Sequence, residues 1–120
     1  MMSFKDKVIF IAGGSTGIGK ATSQILCEHD ARVVIGDINE KDGRVFTEQL
    51  SSTGLKIEFC HLDVSNSKSI TNCIEKIYDK HGAIDGAFNN AGIEGPTAKA
   101  SDYKIEDWSR VLQINLTGVF

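Results

Sequence analysis

A cluster of glycines near the N-terminus has the chemistry of a ligand site. After an apolar run that ends at Ala12, the chain reads Gly13-Gly14-Ser15-Thr16-Gly17-Ile18-Gly19. Glycine lets the chain turn sharply and lets a phosphate approach the backbone, and the first turn of a helix offers free N–H groups and a positive dipole. The residues expected to contact phosphates are Gly13, Ser15, Thr16, Gly17, Ile18 and Gly19. On this segment alone, a tight turn without a ligand remains an alternative.

Two phosphate-binding patterns compete for this loop. The triphosphatase pattern GxxxxGK[ST] fits from Gly14 to Lys20, but Ala21 stands where a hydroxyl would bind Mg²⁺. A dinucleotide loop instead needs an acidic residue about 20 positions later, at the end of the second strand, to accept hydrogen bonds from ribose hydroxyls. Asp37 lies 20 residues after Gly17, at that predicted strand end. The dinucleotide interpretation is favoured, although the spacing is GxxxGxG and not GxGxxG.

Apolar runs and helical patterns predict the elements that position these residues. The predicted strands are Lys7–Ala12, Arg32–Gly36, Lys56–Leu62 and Ala83–Phe88. The predicted helices run from Gly17 to Glu28, through Val45–Leu50 to an end near Gly54, through Ile70–Tyr78 to Gly82, and from near Ile105 into the C-terminus. This order predicts one α/β domain over residues 1–120, a Rossmann-like, doubly wound parallel sheet. Because the sequence stops inside an apolar helical pattern, we expect a chain truncated after the helix that follows the fourth strand.

The composition is that of an ordinary globular protein. The 120 residues include 16 acidic and 13 basic side chains, for a net charge of −3, and 41% are hydrophobic. No block of Lys or Arg is present, so we expect no nucleic-acid partner and no basic membrane-binding face. The run Val8–Ala12 is too short for a membrane span or a secretory signal, which predicts a cytoplasmic protein.

The thiols and imidazoles do not predict a metal site. The three cysteines have no CxxC spacing and are expected to be reduced and buried: Cys27, Cys60 and Cys73. Neighbouring strand residues such as Cys60 and His61 face opposite sides of a sheet, so they cannot share one ion. His29 and His81 fall at predicted helix C-termini, where an imidazole complements the dipole. Trp108 and the phenylalanines are expected in the core.

Four motifs make the chain similar, over essentially all its length, to the N-terminal part of the short-chain dehydrogenase/reductase family. They occur in the family's order, beginning with the glycine loop. The other three are Asp63-Val64 after the third strand, Asn89-Asn90-Ala91-Gly92 after the fourth, and Asn115 in the last helix. Ala12 is a departure, since the family usually carries Thr there.

The resemblance implies a role for each later motif, beside a simpler alternative. Asp63 would accept a hydrogen bond from an adenine amino group while Val64 borders the ring, or Asp63 would only begin the turn into Ser65-Asn66-Ser67 and cap the next helix. The segment Asn89, Asn90, Ala91 and Gly92 would brace neighbouring strands and contact the ribose, or would be an ordinary turn. Asn115 would hold a water that links a catalytic Lys to solvent, or would be a paired core residue.

The resemblance also implies an activity: hydride transfer between NAD(H) and a small alcohol or ketone. NAD is expected over NADP because Ile38 and Thr16 stand where NADP-preferring members tend to carry a basic residue. A homo-oligomer, often a tetramer in the family, would pack the last helix between subunits. A non-catalytic dinucleotide-binding or redox-sensing module is the alternative.

The proton-transfer residues of the family, a Ser and a Tyr-x-x-x-Lys pair, have no match in this sequence. Tyr78 is followed four residues later by Gly82, and Tyr103 by Asp107. Lys would lower the pKa of Tyr in such a pair so that the phenol can exchange a proton with the substrate oxygen. Residues 1–120 alone are therefore expected to be inactive.

Overall fold

A computed structural model describes residues 2–120, in which strands and helices alternate. The elements are β1 (Val8–Ala12), α1 (Gly17–Glu28), β2 (Arg32–Asp37), α2 (Glu40–Ser51), β3 (Ile57–His61), α3 (Ser67–His81), β4 (Gly86–Asn89) and α4 (Ile105–Leu112). A 3₁₀ turn at Ala100–Asp102 precedes α4, and a π-helix at Gln113–Thr117 continues it. Within the described residues, no helix combines the length and the apolar character that a membrane crossing requires.

The four strands form one parallel sheet in the order β3-β2-β1-β4. In this sheet Phe10 of β1 lies between Val34 of β2 and Ala87 of β4. Since β1 and β2 are the inner strands, their side chains are covered on both faces, and Ile11 and Ile35 are fully buried. The predicted α/β fold with a Rossmann-like parallel sheet is confirmed.

Helices cover both faces of the sheet and give it two cores. Helices α1 and α2 pack on one face, over a cluster that includes Cys27, Val33 and Phe46. Helix α3 packs on the other face, where Cys73 and Ile77 lie against strand residues that point away from α1. Full burial of a Val or Ile side chain stabilises the fold by about 1.5–3 kcal/mol, so these two layers hold the strand ends in place.

Strand β4 begins three residues later than the sequence predicts. Gly82 ends α3 in the left-handed conformation, with φ of 75°, as expected of a glycine C-cap. The Asp85 carboxylate then accepts a hydrogen bond from the Val8 amide at 2.8 Å and one from Lys7 Nζ at 3.2 Å. Asp85 therefore closes the connection into the sheet, and strand pairing starts at Gly86.

The last helix differs from prediction in its form and in its burial. The π-helix contains Asn115, so the regular α-helix ends at Leu112. The expectation that Trp108 is a core residue is wrong, because its side chain is 55% exposed. It shares an apolar exposed face with Ile105, Leu112 and Leu116. The apolar spacing identifies this face correctly but does not specify what covers it.

Candidate dinucleotide site

A cleft opens where β1, β2 and β4 end, with a cavity volume of about 620 Å³. That volume lies in the range of small-molecule sites. Nine of the predicted site residues line it: Gly13, Thr16, Gly17, Ile18, Asp37, Val64, Asn90, Ala91 and Gly92. Parallel strands place their carboxyl ends at one sheet edge, which is why motifs far apart in sequence meet here.

The glycine loop turns tightly between β1 and α1. The Gly13 amide donates a hydrogen bond to the Gly36 carbonyl at 2.7 Å, and Gly13 has φ of 75°. A Cβ on Gly19 would lie 2.2 Å from the Gly13 carbonyl oxygen, so only glycine allows the helix to approach the loop this closely. Gly17 has φ of 54°, and a Cβ on it would meet no protein atom within 4 Å. Its open side therefore leaves room for a ligand against the backbone.

The start of α1 is suited to an anion. Thr16 is the N-cap residue, and its side chain makes no capping hydrogen bond. The first-turn N–H groups have no partner within the helix, and Gly17 and Ile18 of that turn line the cleft. Ser15 differs from its neighbours, because its side chain is only 2% exposed and its amide donates to Asp37 Oδ2 at 3.0 Å. A contact of Ser15 with phosphate stays a prediction.

Asp37 ends β2 at the rim of the cleft and ties three segments together. One carboxylate oxygen accepts the Ser15 amide, and the other accepts the Asn39 amide at 2.9 Å. Asn39 in turn caps α2 by accepting a hydrogen bond from the Asp42 amide. Each carboxylate oxygen has two acceptor sites, so Asp37 retains capacity for ribose hydroxyls. The carboxylate is therefore held in one orientation toward the cleft.

The segment after β4 braces the glycine loop. Asn90 Nδ2 donates hydrogen bonds to the Gly13 carbonyl at 3.0 Å and to the Ala12 carbonyl at 3.3 Å. A Cβ on Gly13 would lie 2.8 Å from Ala91 Cα, which shows how closely the two loops pack. Asn89 instead lines a smaller cavity, of about 150 Å³, on the α3 face of the sheet. The bracing contacts belong to Asn90, and a ribose contact stays a prediction.

Asp63 and Val64 follow β3 beside the cleft. Val64 lines it, whereas Asp63 does not. The Ser65 hydroxyl and amide donate to Asp63 Oδ1 at 2.6 and 2.9 Å, and these hydrogen bonds lower the pKa of Asp63. Asp63 begins the turn before α3, as the alternative states, because the Ser65 and Asn66 amides donate to it. It does not cap the helix, since the N-cap of α3 is Asn66. The adenine contact of Asp63 stays a prediction.

Asn115 reaches the cleft through another residue. Its side-chain amide forms two hydrogen bonds with the backbone of Ile93, and Ile93 lines the cleft. Asn115 lies in the π-helix that continues α4. Its side chain is paired, but Asn115 is exposed, so the alternative of a core residue is wrong. The role of holding a water stays a prediction.

Two charged residues on the cleft wall belong to none of the sequence motifs. Glu94 follows the Gly92 segment, and Arg110 projects from α4 one turn before Ile114, which also lines the cleft. Arg110 is the basic residue in the last turn of α4. The sequence shows a basic residue near the end of this helix, but it does not reveal which face of the helix borders the cleft.

The cysteines and histidines are only partly as expected. All three cysteines are free, with Cys27 and Cys73 buried and Cys60 partly exposed. The interpretation of His81 as a simple helix-end residue is incomplete, since its buried ring pairs with Glu58 of β3. No group of three or more potential metal ligands occurs in residues 2–120.

Known proteins match this chain along nearly its whole length. A family model described as short chain dehydrogenase matches residues 7–120. An uncharacterised oxidoreductase of Bacillus subtilis (strain 168), YxbG, is 35% identical over 120 residues, which are 100% of this chain and 44% of that protein. Momilactone A synthase of Oryza sativa subsp. japonica is 36% identical over 115 residues, or 95% of this chain and 41% of that protein.

Solved structures agree with this match. The crystal structure of an NAD⁺-bound xylitol dehydrogenase matches this chain with a TM-score of 0.94 at 30% identity. The match covers 99% of this chain and 46% of the xylitol dehydrogenase chain. The chain thus spans less than half the length of these relatives. The fold, the ordered motifs and the family match lead to one conclusion: the chain belongs to the short-chain dehydrogenase family of oxidoreductases.

Proposed function

We propose that this chain forms the cofactor site of an NAD(H)-dependent oxidoreductase that acts on a small alcohol or carbonyl compound. The observation that carries the proposal is Asp37, whose carboxylate is fixed at the cleft by the Ser15 and Asn39 amides. A carboxylate in that place accepts hydrogen bonds from a ribose diol and repels a 2′-phosphate. Ile38, which follows this acid, and Thr16 both line the cleft and carry no positive charge that would offset the repulsion.

The residues present fit a dinucleotide. The open side of Gly17 and the uncapped first turn of α1 would hold the pyrophosphate, and Asp37 the adenosine ribose. Val64 and Ile114, which both line the cleft, would border the adenine. The segment of Asn90 to Gly92 would support the rest of the dinucleotide. The relative solved with NAD⁺ bound supports a nicotinamide cofactor for this fold.

The chemistry of the site would be hydride transfer. The nicotinamide, when bound, supplies the hydride acceptor or donor. This chain's residues bind and orient the cofactor, and Asn115 fixes the backbone at Ile93 where the cleft continues past Gly92. A proton must also leave or reach the substrate oxygen, and the sequence contains no Tyr-x-x-x-Lys pair for that step.

A direct binding experiment tests the cofactor assignment. Titration of the purified protein by calorimetry with NAD⁺, NADP⁺ and Mg²⁺-ATP should give the tightest binding for NAD⁺. Tighter or equal binding of NADP⁺ would refute the role of Asp37. Binding of Mg²⁺-ATP in place of either dinucleotide would refute the dinucleotide site itself.

We further propose that the protein is a cytoplasmic homo-oligomer in which the exposed apolar face of α4 packs against another subunit. Ile105 and Trp108 are 68% and 55% exposed, and exposed apolar patches of this kind mark interaction surfaces. Ile105→Asp should shift the protein toward monomer in analytical ultracentrifugation. The control Lys104→Asp changes the charge of the neighbouring residue. A sedimentation coefficient that Ile105→Asp leaves unchanged would contradict this interface.

A further inference from the structure

Arg110 brings a positive charge into a cleft whose other charged side chains are acidic. Two carboxylates line this cleft, those of Asp37 and Glu94, and Arg110 is the single Lys or Arg among the described residues that line it. The Arg110 side chain is exposed, and within residues 2–120 it forms no ion pair with a carboxylate. Its guanidinium is therefore free to bind a ligand in the cleft.

The turn of α4 that carries Arg110 packs on the segment after β4. Val111, the next residue, contacts this segment, because a Cβ on Gly95 would lie 2.7 Å from Val111 Cγ2. The same segment is attached to the glycine loop, where Asn90 Nδ2 donates a hydrogen bond to the Gly13 carbonyl at 3.0 Å. Only this segment therefore separates the α4 turn from the glycine loop.

The first turn of α1 and Arg110 lie on different sides of the sheet. Helix α1 packs on one face and α3 on the other. The π-helix that continues α4 is attached to the turn before α3, because Gln113 Nε2 donates a hydrogen bond to the Ser65 carbonyl at 3.3 Å. Gly17 and Ile18 of α1 nevertheless line the same cleft as Arg110. The cleft thus lies between the first turn of α1 and the α4 turn that carries Arg110.

A dinucleotide would bring two negatively charged phosphates into this cleft. The first turn of α1 offers free N–H groups and a partial positive charge, whereas the two carboxylates repel an anion. A guanidinium carries a full positive charge on a planar fork of donors that matches phosphate oxygens. Arg110 is therefore the side chain that can offset the repulsion from Asp37 and Glu94.

The sheet order favours the pyrophosphate over the ribose as the partner of Arg110. Asp37, which would hold the adenosine ribose, ends β2, and β1 separates β2 from β4. The glycine loop follows β1 and is the direct neighbour of the segment on which the α4 turn packs. The guanidinium consequently adjoins the loop that would bind phosphate.

We infer that Arg110 is a further cofactor-binding residue, whose guanidinium pairs with the pyrophosphate of the dinucleotide across the cleft from the first turn of α1. This inference rests on the proposed function, because it assigns a role within the same site. Backbone N–H groups hold the pyrophosphate on one side and a side-chain cation holds it on the other. Because the contacts of α1 come from the backbone, Arg110 is the part of this subsite that a substitution can remove without altering the fold.

The test separates the phosphates from the rest of the cofactor. The wild type, Arg110→Gln, Arg110→Lys and the control Lys104→Gln are titrated by calorimetry with 5′-ADP, NAD⁺ and NADP⁺. Adenosine, which lacks phosphate, is titrated into the same four proteins by NMR. Lys104→Gln removes an equal charge from the start of α4, at a residue that does not line the cleft.

We expect Arg110→Gln to bind 5′-ADP and NAD⁺ about fivefold to tenfold more weakly than the wild type, since the pair is charged but partly exposed to water. The difference should shrink at high salt, which screens such a pair. Arg110→Lys should have intermediate affinity, because an ammonium group keeps the charge but not the fork of donors. Adenosine should bind equally to all four proteins, and Lys104→Gln should match the wild type with every ligand.

Equal 5′-ADP affinity in Arg110→Gln and the wild type would refute the inference. An equal loss of adenosine affinity would also refute it, as a change in the shape of the cleft, and so would an equal loss in Lys104→Gln, as a general effect of net charge. A loss confined to NADP⁺ would place Arg110 at the 2′-phosphate instead. If the wild type binds neither 5′-ADP nor NAD⁺, the proposed cofactor site itself fails. If the wild type binds both and Arg110→Gln is unchanged, only the role of Arg110 fails.

Discussion

Asn115 holds the backbone of Ile93 by both of its polar groups. Its Oδ1 accepts a hydrogen bond from the Ile93 amide at 2.8 Å, and its Nδ2 donates one to the Ile93 carbonyl at 2.7 Å. The Asn115 side chain thereby supplies the donor and the acceptor that a neighbouring strand would otherwise provide for the Ile93 backbone. The wall of the cleft after Gly92 is consequently attached to the π-helix rather than to the sheet.

Asn115→Ala should loosen this wall. Each lost hydrogen bond costs about 0.5–1.5 kcal/mol, so exchange of the Ile93 amide with solvent should accelerate roughly 2- to 12-fold per bond. Asn115→Asp should also lose the bond to the Ile93 carbonyl, since a carboxylate cannot donate it. Amide exchange by NMR measures both. Asn72→Ala, at an exposed position of α3, is the control; an Ile93 amide equally protected in all variants would contradict the attachment.

Asp37→Asn should reduce discrimination between the two nicotinamide cofactors. Hydrogen bonds to a charged group are worth about 1.5–3 kcal/mol, so NAD⁺ affinity should fall by about tenfold or more. NADP⁺ affinity should fall less, because removal of the carboxylate charge also removes repulsion of the 2′-phosphate. Calorimetric titration gives both constants. Asp79→Asn, which removes the same charge from α3, should leave the ratio unchanged, and an unaltered ratio in Asp37→Asn would exclude Asp37 as its determinant.

Gly17→Val should abolish cofactor binding in a protein that still folds. A left-handed φ at a non-glycine residue costs about 1–2 kcal/mol, and the new side chain would fill the ligand space without meeting protein atoms. Gly54→Val is the matched control, since Gly54 has φ of 91° and equal free space but lies outside the cleft. Circular dichroism with thermal unfolding reports folding, and titration reports binding. Equal NAD⁺ affinities in the two variants would rule out this position for the phosphates.

Gly19→Ala should act on stability instead. Its methyl group would lie 2.2 Å from the Gly13 carbonyl oxygen, a backbone atom that cannot rotate away. Overpacking of this kind costs about 1–3 kcal/mol. Thermal unfolding should therefore show a lower midpoint for Gly19→Ala than for the wild type. An unchanged midpoint would show that the loop relaxes freely around the methyl group.

The ionised carboxylate of Glu58 should stabilise the fold at neutral pH, and this stabilisation should be lost in acid. Burial disfavours its ionised form, but hydrogen bonds from Lys80 and His81 outweigh that effect and lower the pKa of Glu58 from its usual 4.5. A lowered folded-state pKa contributes stability above the unfolded value, and that stability is lost as the pH falls through the folded pKa. Glu58→Gln should therefore be less stable than the wild type at neutral pH, with the difference vanishing below pH 4.5.

Denaturant unfolding across this pH range measures the effect. Glu40→Gln is the control, because hydrogen bonds from Arg44 also lower the pKa of Glu40, but that pair is fully exposed and screened by water. Its stability should follow that of the wild type. A constant offset between Glu58→Gln and the wild type at every pH would show that the carboxylate charge of Glu58 is not involved.

Local patterns predicted the elements that fix the site. The short apolar run before Gly13 predicts a strand buried on both faces, and Gly82 ends α3 as a left-handed cap because glycine adopts that conformation without steric cost. Asp37 was found from its spacing after the glycine loop, which reflects the fixed length of a βαβ unit. These features depend on residues that are close together in the sequence, so they can be predicted from the sequence alone.

Features that depend on contacts between distant elements could not be predicted in this way. Asn115 pairs with Ile93, which lies 22 residues earlier, and His81 pairs with Glu58 in another element. Arg110 lines the cleft beside residues that are distant in sequence, such as Asp37 and Gly92. In each case the residue type was visible, but its partner was set by tertiary packing.

The position of β1 in the sheet has a consequence for how the site assembles during folding. Ile9 pairs with Val33 in the adjacent βαβ unit and with Gly86, which is far along the chain. Contacts between distant segments require a larger loop to close and form late. The glycine loop and Asp37 belong to the early unit, whereas Asn90 reaches Gly13 only after β4 docks. Local opening of β4 would thus release the side of the cleft that Asn90 lines while the side that Asp37 lines stays intact.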